Sequence, residues 1–131
     1  MSTANTPPLE LHATILRVSD LEHSMEWYCN VFGLKPLNHD LSYRLATLVG
    51  ENKQKIILRE LKSGHAVVPS GLYSAYALFL SPDVVETHEN FQQRGLKVSP
   101  VQDLPGVRIF YVYDPDDHQL CVLQFVIEWE R

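Results

Sequence analysis

From Leu11 to Val18 the chain is almost unbroken in apolar and β-branched residues. The period then changes: Leu21, Met25, Tyr28 and Phe32 recur at the spacing of one helix face. This pattern predicts a strand followed by a helix, with Ser19 and Glu22 as a capping box and Gly33 as the C-terminal stop. Three strand-like runs follow, "LKPLNH", "SYRLATLV" and "KIILRELK", separated by the polar breaks "DL" and "GENKQ". After "SGHAVVPSG" the same order returns. "LYSAYALFL" reads as a strand, "PDVVETHENFQQRG" as a helix with Asp83 and Glu86 at its cap, and "LKVSPV", "VRIFYVY" and "QLCVLQFVI" as three more strands. Val84, His88 and Phe91 form the buried stripe expected of the second helix.

The pattern is therefore βαβββ written twice, an α+β arrangement. "GLKP" at 33–36 and "GLKV" at 95–98 mark the same helix-to-strand junction in each copy. Residues 1–10 read as a loose tail, 11–62 as the first module, 63–71 as a linker and 72–128 as the second module, all within one structural domain. A single helix covers only one face of a short sheet, so each module leaves the other face bare. The two modules are expected to form a curved mixed sheet around a cleft, which suits a small organic molecule.

Composition narrows the partners. A net charge of −5, from 16 acidic and 11 basic residues with no basic run, lacks the footprint that a phosphate backbone requires. No stretch approaches the roughly 20 apolar residues of a membrane span, and the N-terminus has no signal-peptide pattern, so a cytoplasmic protein without nucleic-acid or membrane partners is expected. Two cysteines, Cys29 and Cys121, are too few for a disulfide scaffold and are read as reduced thiols.

The densest candidate chemistry is "VYDPDDHQLCVL", Val112 to Leu123. "DPDDHQ" reads as a tight turn whose acids face water, since it lacks the spacing and distant glutamate of a calcium loop. Cys121 has no neighbouring positive charge to make it a thiolate, so a buried structural cysteine is expected. The six histidines show no H-E-x-x-H or H-x-H spacing and are read mainly as surface or helix-face residues. Alternation in "VRIFYVY" puts Ile109, Tyr111 and Tyr113 on one side. The wall they make should be apolar with phenolic hydroxyls.

"LRVSDLEHSMEWYCNVFGLKPL" and "FYVYDPDDHQLCVL" resemble the vicinal-oxygen-chelate superfamily, which includes glyoxalase I, extradiol dioxygenases and the fosfomycin- and bleomycin-resistance proteins. "SGLYSAYALFL" is similar to the middle of bacterial extradiol dioxygenases. The resemblance covers Leu11 to about Val126 and implies the same two-module fold, commonly as a homodimer. Members that use a metal hold one divalent ion (Zn, Ni, Mn or Fe) with side chains from the first and last strand of each module. Carried over residue by residue, those positions are Ala13, Leu58, Tyr76 and Cys121. Glu60 shares the face of Leu58 and is either buried in the site or solvated beyond it.

Alanine and leucine offer no donor, so the resemblance implies a chain without the usual metal. It would bind a small apolar or aromatic molecule in a pocket of Leu58, Glu60, Tyr76, Ile109, Tyr111, Cys121 and Leu123. The alternative is a divalent-metal-dependent lyase or extradiol-type dioxygenase, with His12, Glu60 and Tyr76 as candidate ligands. Whether the chain is an enzyme is left open between these two readings.

Overall fold

The computed structural model describes residues 7–71 and 74–126. The first module runs β1 (Thr14–Val18), α1 (Leu21–Phe32), β2 (Lys35–Asp40), β3 (Leu45–Val49) and β4 (Lys55–Glu60). The second runs β5 (Leu78–Leu80), α2 (Val84–Gln93), β6 (Gln102–Leu104), β7 (Val107–Tyr113) and β8 (Gln119–Phe125). Each module forms a four-stranded mixed sheet, ordered β1-β4-β3-β2 and β5-β8-β7-β6. In both, the first strand lies parallel to the last and the remaining pairs are antiparallel.

One core serves both modules. Leu16, Val18, Leu48 and Leu58 from the first sheet and Phe110, Val112, Leu120 and Val122 from the second join Leu21 and Tyr28 of α1 and Val84 and Phe91 of α2 in a single buried cluster. All of these strand residues point to the helix-bearing face. Their alternate neighbours point to the other face, here called the open face.

The helices start and stop for local reasons, and they do so alike. Asp20, rather than Ser19, caps α1, its side chain accepting from the His23 N–H, and Gly33 at φ 69° ends the helix. Asp83 caps α2 by accepting from Glu86 N–H. A carboxylate or amide from the last strand of each module adds a second acceptor: Glu60 Oε2 takes the Leu21 N–H at 2.9 Å, and Gln124 Oε1 takes the Val84 N–H at 2.9 Å.

Two strand expectations change. "LKVSPV" is no strand; only Val98 bridges to Val112, because Pro100 lacks an N–H for a ladder. The edge strand is instead Gln102–Leu104, folded back on β7 across Pro105–Gly106. β5 is shorter than expected, and Leu72 and Tyr73 at the start of its predicted run lie outside the described residues.

Candidate functional site

The site expected from sequence divides between the two faces. Ile109, Tyr111, Cys121 and Leu123 lie on the open face of the second sheet, where β7 and β8 pair Ile109 with Leu123 and Tyr111 with Cys121. Tyr76 joins them from the segment before β5, its ring edge-on to that of Tyr111 with centroids 6.0 Å apart. The Tyr76 hydroxyl beside it, with partial burial, pushes the Tyr111 phenol up to about 12, so it stays protonated at neutral pH as a hydrogen-bonding group. Cys121 is buried at 2% exposure, and burial pushes its thiol up as well, which leaves it a weak nucleophile. Ile109 is also buried, while Leu78 and Leu80 extend the apolar surface into solvent.

Leu58 and Glu60 are not part of this surface. The parallel register pairs Leu58 with Leu16, under α1, and Leu58 is fully buried in the core. The open-face residue of β4 is Ile57, paired with Ile15. Glu60 points the same way as Leu58 and reaches the start of α1, where it also accepts from Arg44 Nη2 at 2.8 Å. Arg44 and the Leu21 amide hold the Glu60 carboxyl well down, at about 2. Its task is to anchor the helix, the same task Gln124 performs in the second module.

The donor set does not suit a divalent ion at the resembling positions. Ala13 and Ile57 contribute no donor, which leaves the Tyr76 phenol and the Cys121 thiol, fewer than the three protein ligands a catalytic ion usually keeps. His12 is exposed and precedes β1. Among the described residues, Asp20, Glu22 and Glu60 do bring carboxylate oxygens within 4.8 Å of one another. That cluster already holds a cation: Arg44 makes bonds of 2.9 and 2.7 Å to Glu22 and of 2.9 and 2.8 Å to Glu60.

The "DPDDHQ" turn departs furthest from expectation. Asp114 is 3% exposed and His118 2% exposed. Asp114 Oδ1 accepts from the backbone N–H groups of Asp116 and His118, and its Oδ2 accepts from the Tyr28 hydroxyl at 2.6 Å. Burial raises the pKa of Asp114, while these donors pull the other way and favour the carboxylate. His118 Nδ1 accepts from the Ser70 N–H, which leaves Nε2 to donate to the Arg17 carbonyl at 2.7 Å. Ser19 N–H donates to Asp116 Oδ2. The turn thus ties the second module to β1, α1 and the linker: Asp114 and His118 turn inward because partners distant in sequence meet them there, while Asp117 stays in solvent beside Lys97.

Sequence reasoning passed over a second feature. A groove of about 880 Å³ opens between the start of β1, the Gly50–Gln54 turn and β5, with Phe32 and Phe79 on its wall. Its signal in the sequence was the duplication itself, since Gly50–Gln54 occupies the place of Asp114–His118.

With this geometry in view, a family model for the Glyoxalase/Bleomycin resistance protein/Dioxygenase superfamily matches residues 10–122. The chain belongs to that superfamily. No curated protein matches it in sequence. Among solved structures, the antibiotic binding protein TnmS3 from Streptomyces sp. CB03234 is 18% identical, with a TM-score of 0.77 over 92% of this chain and 99% of that one. A lactoylglutathione lyase from Agrobacterium tumefaciens is 22% identical, with a TM-score of 0.71 over 91% and 96%. A mutant of the fosfomycin resistance protein FosX from Listeria monocytogenes, complexed with Mn(II) and dihydroxypropylphosphonic acid, is 20% identical, with a TM-score of 0.69 over 86% and 87%. At such identities these superfamily members share the fold with this chain. Among the described residues, no helix is long and apolar enough to cross a membrane.

Proposed function

We propose that this superfamily member binds a small apolar or aromatic molecule against the open face of its second module, without the metal that some members use. It would act in the cytoplasm as a homodimer. The observation that carries the reading is the shared face: Tyr76, Ile109, Tyr111, Cys121 and Leu123 line one surface whose two phenols supply hydrogen bonds and whose remainder is apolar. Buried apolar area would provide most of the binding free energy, and the phenols would orient the ligand. The antibiotic-binding Streptomyces structure gives this reading a precedent on the same fold. Ile15, Leu78 and Leu80, exposed on the open faces, are what a second copy would cover.

A thermal-shift screen of flat aromatic compounds, repeated on Tyr111→Ala, is the test. Ligands that raise the Tm of the parent should lose affinity by about tenfold in the variant. Unchanged affinity would sink the proposed site.

The competing reading is a divalent-metal-dependent lyase or extradiol-type dioxygenase, in which His12, Glu60 and Tyr76 would have to rearrange toward one ion. The Mn(II) complex of the Listeria structure is what favours it. Elemental analysis of untagged protein decides between the two: one tightly held metal per chain would put the enzyme reading ahead.

A further inference from the structure

The two junctions between the modules are built from duplicated parts, and only one is sealed. Gly50 N–H donates to Gln54 O and Lys53 N–H to Gly50 O, as Asp114 N–H donates to His118 O and Asp117 N–H to Asp114 O. Lys53 at φ 68° and Asp117 at φ 65° take the same left-handed conformation. The turns are one structure used twice. In the helices, Phe91 holds the place that Tyr28 holds in α1, each being the eighth residue.

Every group that seals the first junction is replaced at the second. The Tyr28–Asp114 hydrogen bond has Phe91 and Gly50 at its two positions, and His118 gives way to Gln54. What remains there is the groove of about 880 Å³, bordered by β1 and β5, strands that among the described residues each pair on one side only. Phe32 and Phe79, stacked at 3.9 Å between ring centroids and 6° between planes, give it an aromatic wall.

The charge changes with the shape. The sealed turn reads Asp-Pro-Asp-Asp-His and leads into Gln119, whereas the open one reads Gly-Glu-Asn-Lys-Gln and leads into Lys55. Three carboxylates are reduced to one, and two ammonium groups, those of Lys53 and Lys55, now border the groove. Among the described residues neither lysine has a carboxylate partner; the single bond they share is a long one of 3.4 Å from Lys55 Nζ to the Lys53 carbonyl.

We infer that this open junction is a binding site for an amphipathic anion: a flat or chain-like apolar body against Phe32 and Phe79, with one carboxylate or similar group at Lys53 and Lys55. The site adjoins the Tyr111 surface and shares Tyr76 with it, but Lys53, Lys55, Phe32 and Phe79 belong to the groove alone, and its assignment does not depend on what binds at Tyr111.

Two dyes with one ring system test it on the full chain: anilinonaphthalene sulfonate, which is anionic, and neutral N-phenyl-naphthylamine. The anion should bind about tenfold more tightly, and Lys53→Gln with Lys55→Gln should erase that preference while leaving the neutral dye's affinity unchanged. Gly50→Leu should remove both dyes. The nearest atoms a Cβ there would meet are side-chain ones, the flexible Gln54 Oε1 at 2.8 Å and Leu34 Cδ2 at 3.5 Å, and an aspartate occupies the equivalent turn position, so the variant can fold. Equal affinity for the two dyes would overturn the charge assignment. Binding that survives Gly50→Leu but is lost in Tyr111→Ala would overturn the site and favour the open-face surface instead.

Discussion

Replacing Tyr28 by phenylalanine removes a single oxygen from the interior. The ring packing is kept, including the edge-on contact with Trp27 at 4.9 Å and the stacking on Phe32 at 6.1 Å. The bond lost is the 2.6 Å donation to Asp114 Oδ2, made between two fully or almost fully buried groups of different modules. A hydrogen bond to a charged acceptor contributes about 1.5–3 kcal/mol, and here the oxygen that loses its donor belongs to a carboxylate only 3% exposed. For a chain of this length that corresponds to a fall in Tm of roughly 5–10 °C. Thermal denaturation followed by far-UV circular dichroism measures it. Asp114→Asn, combined with Tyr28→Phe in a double-mutant cycle, isolates the pair, and a coupling of about 1 kcal/mol or more is expected. A Tyr28→Phe chain melting within about 1 °C of the parent would refute the claim that this bond helps hold the modules together.

Glu60, held at about 2 against an ordinary 4.5, favours the folded chain when ionised. That contribution should be complete above pH 4.5 and fade as pH falls toward 2, so the acid limb of a Tm–pH profile should be shallower in Glu60→Gln. Because both modules share one core, residues 1–64 expressed alone should give no cooperative thermal transition; a soluble fragment with one would contradict the shared core. Zn, Ni, Mn and Fe(II) should leave the parent's Tm unchanged, since an ion that binds the native state must stabilise it. Ala13→His, Ile57→Glu, Tyr76→His and Cys121→Glu in one chain should make the Tm metal-dependent, and a metal-dependent parent would reverse that reasoning.

What the sequence disclosed follows from where its periodicity was clean. "VRIFYVY" alternates without a break, and β7 spans those seven residues, with Ile109, Tyr111 and Tyr113 on one face and Phe110 and Val112 on the other. In "KIILRE" three consecutive apolar residues hide the alternation, so Leu58 and Ile57 were equally able to face either way. The β1–β4 register decides between them by pairing Leu16 with Leu58, and no local pattern encodes that register. The inward turn of Asp114 was invisible for a similar reason. Turn chemistry explains the bend, but burial depends on a tyrosine 86 residues away. Glu60 stayed open between the site and solvent because a strand-end carboxylate looks the same whether it faces a ligand, water or the start of a helix. The distinguishing clue lay in its counterpart Gln124, an uncharged residue that does the same work.

The pairing of one sealed and one open junction has an evolutionary consequence. Were the assembly made from two identical single-module chains, the symmetry would force both junctions to carry the same residues, and any mutation that opened one would open the other. Fusion of the copies into one chain lifts that constraint. Tyr28 and Asp114 can be retained to hold the modules together while Phe91 and Gly50 drift, so selection for a new pocket at one end need not weaken the fold at the other.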